Sequence, residues 1–131
     1  MRTQEIKNVL CPVFEHYGKK IIFVYLFGSV AREDVAPLSD VDVAVYLSDN
    51  LMDMFFDIKL SLYADICRAL RRNDVDLIVL NTTQNLMLVE EIIRNSVVLF
   101  DANPDIREEY EVKLLHRAID FRTHRLAVMG V

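Results

Sequence analysis

Residues 26–45, "LFGSVAREDVAPLSDVDVAV", decide how the chain is read: a Gly-Ser pair closes one apolar run, and ten residues later two aspartates flank the start of another. The run leading into it, "KKIIFVYLF", is apolar, β-branched and aromatic, which predicts a buried strand from about 20 to 27. "VDVAVYL" predicts a second strand over 41–47. Residues two apart in a strand face the same way, so Asp40 and Asp42 project from one face while Val41, Val43 and Val45 turn toward a core. The strand rise holds the two acids roughly 6–7 Å apart at the backbone. Two carboxylates so placed repel, and at least one pKa rises unless a cation lies between them. The nearest base in sequence is Arg32. A hard divalent ion such as Mg²⁺, which takes carboxylate and phosphate oxygens, relieves the conflict.

A third strand, "DVDLIVL" near 74–80, places Asp76 among aliphatic residues, with Ile78 and Leu80 on its face. If this strand neighbours that of Asp42, a third carboxylate joins the pair. Three acids on one sheet face suit two-metal phosphoryl or nucleotidyl transfer, in which the ions clamp the attacking and leaving oxygens. Gly28 lets a backbone approach a phosphate closely, and Ser29 offers a hydroxyl and helix-end amides to the same oxyanions. Taken singly, "FGS" and "PLSD" are ordinary turns and Asp40 is a turn residue before its strand. Their joint spacing is what departs from the ordinary.

Outward from this centre, Ile6, Val9, Leu10, Val13, Phe14 and Tyr17 recur at helical spacing, with Thr3 placed to cap that helix and Gly18 to end it. Apolar residues from 51 to 70 predict a second amphipathic helix ending near Arg72, where Arg71 and Arg72 favour the helix C-terminus. "TTQNLMLVEEIIRNS" predicts a helix capped by Thr82 or Thr83, "VVLFD" a fourth strand over 97–101, and Pro104 opens a last helix running to about 127. Only a short loop links the first two strands, whereas helices separate the later ones. These links fit an α+β fold, a small mixed sheet with helices packed mainly on one side, as well as a doubly wound sheet; α+β, in a single domain spanning 1–131, is the expectation carried forward.

Composition narrows the function further. A formal charge of −5 and a pI near 5.1 disfavour sequence-independent nucleic-acid binding, which needs excess Lys and Arg. The longest uncharged stretches, 21–31 and 77–89, fall short of the roughly 20 residues of a membrane-spanning helix. Charges enter the N-terminal pattern at once, unlike a secretory signal, so a cytoplasmic location is expected. Cys11 and Cys67 sit at helical spacing among apolar residues and are expected to be small buried hydrophobes. His16, His116 and His124 form no ligand cluster with the acids in sequence. An apolar fraction of 53% and a mean hydropathy of +0.20 are high for so small a domain, which points to an interface with a partner or a second copy.

Gly28, Ser29, ten intervening residues, Asp40, Val41 and Asp42 reproduce the GSx10DxD pattern, and the chain thereby resembles the DNA polymerase β-like nucleotidyltransferase superfamily. Asp76 stands where that family carries its third carboxylate. The length is similar to that of the minimal nucleotidyltransferases, single-domain antitoxins paired with HEPN-domain toxins. The resemblance implies that Asp40, Asp42 and Asp76 hold two Mg²⁺ ions, with Asp76 also receiving the acceptor's proton. It further implies that Gly28, Ser29 and Arg32 contact the phosphates of ATP, and that AMP passes to a hydroxyl, such as a tyrosine, of a cognate HEPN ribonuclease toxin. One position departs from the pattern: many members have Gly after this Arg, whereas Glu33 follows Arg32 here. Two alternatives stand beside this expectation. One is a non-catalytic antitoxin that neutralises by binding; the other is a small-molecule nucleotidyltransferase of the aminoglycoside type, for which the chain leaves little room.

Overall fold

The computed structural model describes residues 2–28 and 40–128, with side chains as far as 124. Helix α1 (Thr3–His16) leads through a 3₁₀ turn into strand β1 (Ile21–Phe27), and strand β2 is Val41–Leu47. Helix α2 (Phe55–Leu70), strand β3 (Val75–Val79), helix α3 (Leu86–Asn95), strand β4 (Val97–Asp101) and helix α4 (Pro104–Val128) follow. The strands form one mixed sheet in the order β3-β2-β1-β4, with β2 and β3 parallel and both other pairs antiparallel. The α+β expectation is met, but helices cover both faces of the sheet rather than mainly one, α1 and α2 on one side and α3 and α4 on the other. A parallel β2–β3 pair requires a crossover, and α2 provides it.

Side-chain alternation sorts the strands into two apolar layers. Val24, Leu26, Val41, Val43, Val45, Leu77 and Val79 face α1 and α2, whose Ile6, Leu10, Phe14, Leu62 and Ile66 complete the larger core. On the other face Phe23, Tyr25, Ala44 and Leu80 form a smaller cluster with Val89 and Ile92 of α3 and Leu114 of α4. Phe23 stacks on Tyr46 at a centroid distance of 4.7 Å, and Tyr110 of α4 tilts against both rings. The half-exposed Arg122 of α4 and Arg94 pair with the buried Glu90 of α3, which compensates the cost of burying that carboxylate.

Several local expectations shift by a few residues. Arg2 takes the cap of α1 and Thr3 becomes the first helical residue, whereas Gly18, at φ +59°, ends the helix as expected. The helix expected from 51 is a 3₁₀ segment over Asp49–Met54 before α2 begins. Tyr46 and Asn81 both hydrogen-bond Asp49, which ties this segment to the sheet. Asn85, rather than Thr82 or Thr83, caps α3 by accepting from the Leu88 amide at 3.1 Å. The Thr82 hydroxyl is turned instead to the Val79 carbonyl. Cys11 and Cys67 are free and only half-buried, and the Cys11 thiol donates to the Leu99 carbonyl at 3.3 Å.

Candidate active site

The smaller apolar layer does not reach the end of its sheet face. Beyond Ala44 on β2 the next inward position on that face is Asp42, and beyond Ile78 on β3 it is Asp76. The parallel register pairs Asp42 directly with Asp76, so the two carboxylates rise from neighbouring strands about 4.8 Å apart at the backbone. Asp40 immediately precedes β2 and is exposed, as is Asp76, whereas Asp42 is half-buried. The expected trio thus gathers at one edge of the sheet.

Electrostatics registers that convergence. The Asp42 carboxyl is pushed up from its ordinary 3.8, first by burial, then by the charge of Asp76 and then by that of Asp40. On the other side of Asp42, β1 ends opposite it at Phe27, and Gly28 follows with φ +77°. A Cβ at Gly28 would lie 3.1 Å from Asp42 Cγ and overlap its Oδ2, so only a glycine leaves space for this carboxylate. Ser29, Arg32 and Glu33 lie outside the described residues.

The donor set fits a hard divalent cation, because three carboxylates supply hard oxygens and their mutual repulsion favours positive charge. Among the described residues no group of three His, Cys, Asp or Glu side chains already stands in coordinating geometry. Mg²⁺ is commonly held by one or two carboxylates together with substrate phosphates, which the Asp42–Asp76 pair suits.

Two residues to which the sequence assigned no part in the chemistry also border the site. Arg72, expected only to favour a helix end, pairs its guanidinium with Asp74 and lies within electrostatic reach of Asp40. Tyr63 of α2 donates its hydroxyl to the Asn73 carbonyl at 3.3 Å, in the turn that leads to β3. Its hydroxyl is pushed above 10.0, chiefly by Cys67 and to a smaller extent by Asp76. Only the adjacency of "RRNDVD" to Asp76 hinted at either residue. The three histidines are exposed.

The raised Asp42 carboxyl sets a stability prediction. Its pKa is higher folded than unfolded, so ionised Asp42 opposes folding as pH rises above about 3.8. Asp42→Asn should therefore raise Tm at pH 7, by on the order of a degree or two, and the gain should vanish on acidification below the unfolded value. Mg²⁺ or Mn²⁺ should raise the Tm of the native chain and have little effect on that of the variant. A thermal-melt series across pH, with and without metal, reads both effects.

The mixed sheet thus carries paired carboxylates on adjacent parallel strands, with a glycine packed on one of them. The model of the family "Polymerase beta, Nucleotidyltransferase" matches residues 7–105, and the chain belongs to that family. Among solved structures, the chain is similar in fold to one in a toxin-antitoxin complex with AMP-PNP, at TM-score 0.76 and 24% identity over 95% of each chain. It is also similar to a chain in the complex of tri-AMPylated Shewanella oneidensis HEPN toxin with MNT antitoxin, at TM-score 0.71 and 23% identity over 97% of this chain and 95% of that one. A chain of the toxin-antitoxin MntA-HepT matches at TM-score 0.72 and 23% identity, covering 98% and 97%. No curated protein matches the sequence. No described helix is long and apolar enough to cross a membrane.

Proposed function

We propose that this nucleotidyltransferase transfers AMP from ATP to a tyrosine hydroxyl of a HEPN-domain toxin and thereby acts as its antitoxin. The observation that carries the reading is the register pairing of Asp42 with Asp76 beside Asp40, with Gly28 seated on Asp42. The names of the similar structures, which couple this fold to an AMP-PNP complex and an AMPylated HEPN toxin, support the choice of nucleotide and acceptor.

A divalent cation held by Asp40, Asp42 and Asp76 would neutralise charge on the α-phosphate and on the departing pyrophosphate. Gly28 leaves the Asp42 carboxylate unobstructed, and Ser29 and Arg32 are assigned to the β- and γ-phosphates. Asp76, exposed on its strand, is assigned the proton of the acceptor hydroxyl. The acceptor oxygen then bonds to the α-phosphorus, the bond from that phosphorus to the bridging oxygen breaks, and pyrophosphate leaves. The site is expected to work in the cytoplasm, where ATP and Mg²⁺ are supplied.

Incubating the chain with ATP, Mg²⁺ and its HEPN-domain partner should add whole AMP units to the partner's intact mass, and Asp40→Asn or Asp42→Asn should abolish the addition. A partner of unchanged mass under these conditions refutes the transfer reading. Exposed apolar residues such as Met52 and Phe56 favour a second reading, neutralisation by binding alone. The double variant Asp40→Asn with Asp42→Asn separates the two: it still neutralises the toxin if binding suffices and fails if transfer is required.

A further inference from the structure

The apolar surplus of the sequence is not spread evenly over the surface. In α2 the inward positions Phe55, Ile58, Leu62, Ile66 and Leu70 are buried, yet Phe56 is 70% exposed, Leu60 54% and Tyr63 37%, and Met52 just before the helix is 70% exposed. The spacing 56, 60, 63 sets three of these side chains in a row along one flank of α2, which Met52 of the preceding 3₁₀ segment extends beside Phe56. A groove of about 460 Å³ lies between the first part of that row and β3, with Met52, Phe56, Lys59, Ile78 and Thr82 on its walls. Among the described residues β3, like β4, is an edge strand of the sheet. The bonds from the Val41 amide to the Asp74 carbonyl and from the Leu80 amide to the Val45 carbonyl turn the even-numbered residues of this segment toward β2. The backbone groups of Val75 and Leu77 therefore point outward, along an edge that can accept an added strand.

We propose that this row and the β3 edge form the docking surface for the protein that receives the nucleotide. The proposal rests on the reading above, that the acceptor is a protein. Two observations select that occupant. The row ends at Tyr63, whose hydroxyl binds the Asn73 carbonyl three residues before Asp76 and lies within electrostatic reach of that carboxylate, so a chain crossing the β3 edge there meets the group assigned to take the acceptor's proton. Exposed Asp49, Asp53 and Asp57 flank the row's beginning, which suits an apolar partner segment bordered by Lys and Arg. The exposed Val112 and Ile119 of α4 offer apolar area as well and serve as the comparison surface.

The test uses the full chain carrying Phe56→Asp and Leu60→Asp, with Phe56→Ser and Leu60→Ser as a milder pair should the charged one fold poorly. The HEPN-domain partner serves as probe. Removing two apolar side chains from the centre of the row should lower partner affinity by about 100-fold. The KM for the partner should rise in parallel, while AMP-PNP affinity and kcat at saturating partner stay as in the native chain. Val112→Asp with Ile119→Asp should change none of these. Retained partner affinity in both row variants, or an equal loss in the α4 variant, overturns the docking assignment. If the native chain binds the partner through the row yet adds no AMP, the docking surface stands and the transfer reading falls. If transfer persists with an unchanged KM in the row variants, the docking assignment falls and the transfer reading stands.

Discussion

Asp76→Asn is expected to lower the rate of the proposed AMP transfer by about 10²–10⁴-fold, the range lost when a positioned proton acceptor is removed, with little change in fold or Tm. Asp76 is exposed and lies outside both apolar layers, so an amide of the same shape disturbs no packing and leaves no buried group unpaired. Its effect on Asp42 is one of charge, and removing that charge brings the Asp42 carboxyl back toward its ordinary value. The loss should therefore fall on kcat, with a smaller change in AMP-PNP affinity. Single-turnover transfer with labelled ATP measures it, and a rate within about threefold of the native chain would remove Asp76 from the proposed chemistry.

Gly28→Ala should impair folding and transfer together. At φ +77° an L side chain costs on the order of 1–2 kcal/mol, and here the added Cβ also overlaps the Asp42 carboxylate. That carboxylate must rotate away or the end of β1 must shift, and either movement breaks the arrangement with Asp76. A loss of about 2 kcal/mol in stability and at least about 100-fold in transfer is expected, because small misplacements of catalytic groups are that costly. Gly18→Ala is the internal comparison. Its φ of +59° imposes similar backbone strain, but nothing lies within 4 Å of its added Cβ, so stability falls by about 1 kcal/mol and transfer is unchanged. Denaturant melts on the two variants, each with and without Asp42→Gly, separate strain from collision, and transfer rates are read on the single variants.

How much of this was legible in the chain follows from which forces act locally. Strand β2 occupies 41–47 and β4 97–101, as their β-branched runs predicted, because such residues lose little by adopting extended backbone and pack well on a sheet. The cap of α3 was misplaced. Thr82, Thr83 and Asn85 are all good caps by propensity, and the choice fell to Asn85 once the Thr82 hydroxyl was engaged at the end of β3. The start of α2 was misplaced for a similar reason, since Asp49 is held by Tyr46 and Asn81 across the fold.

The sequence by itself determined that Asp40 and Asp42 stand two residues apart at a strand, that Asp76 lies alone on an aliphatic strand, and that a glycine ends the run before them. Those follow from the period of two and from the backbone freedom of glycine. Only the tertiary structure decided that β2 and β3 lie side by side in parallel, with Asp42 opposite Asp76. Register between distant strands depends on how whole faces pack, here Val41, Val43 and Val45 with Val75, Leu77 and Val79 beneath α1 and α2, and no local pattern encodes it. The same holds for Gly28 against Asp42 and for Tyr63 of α2 against the Asn73 carbonyl: each is a contact between segments that only the folded chain brings together.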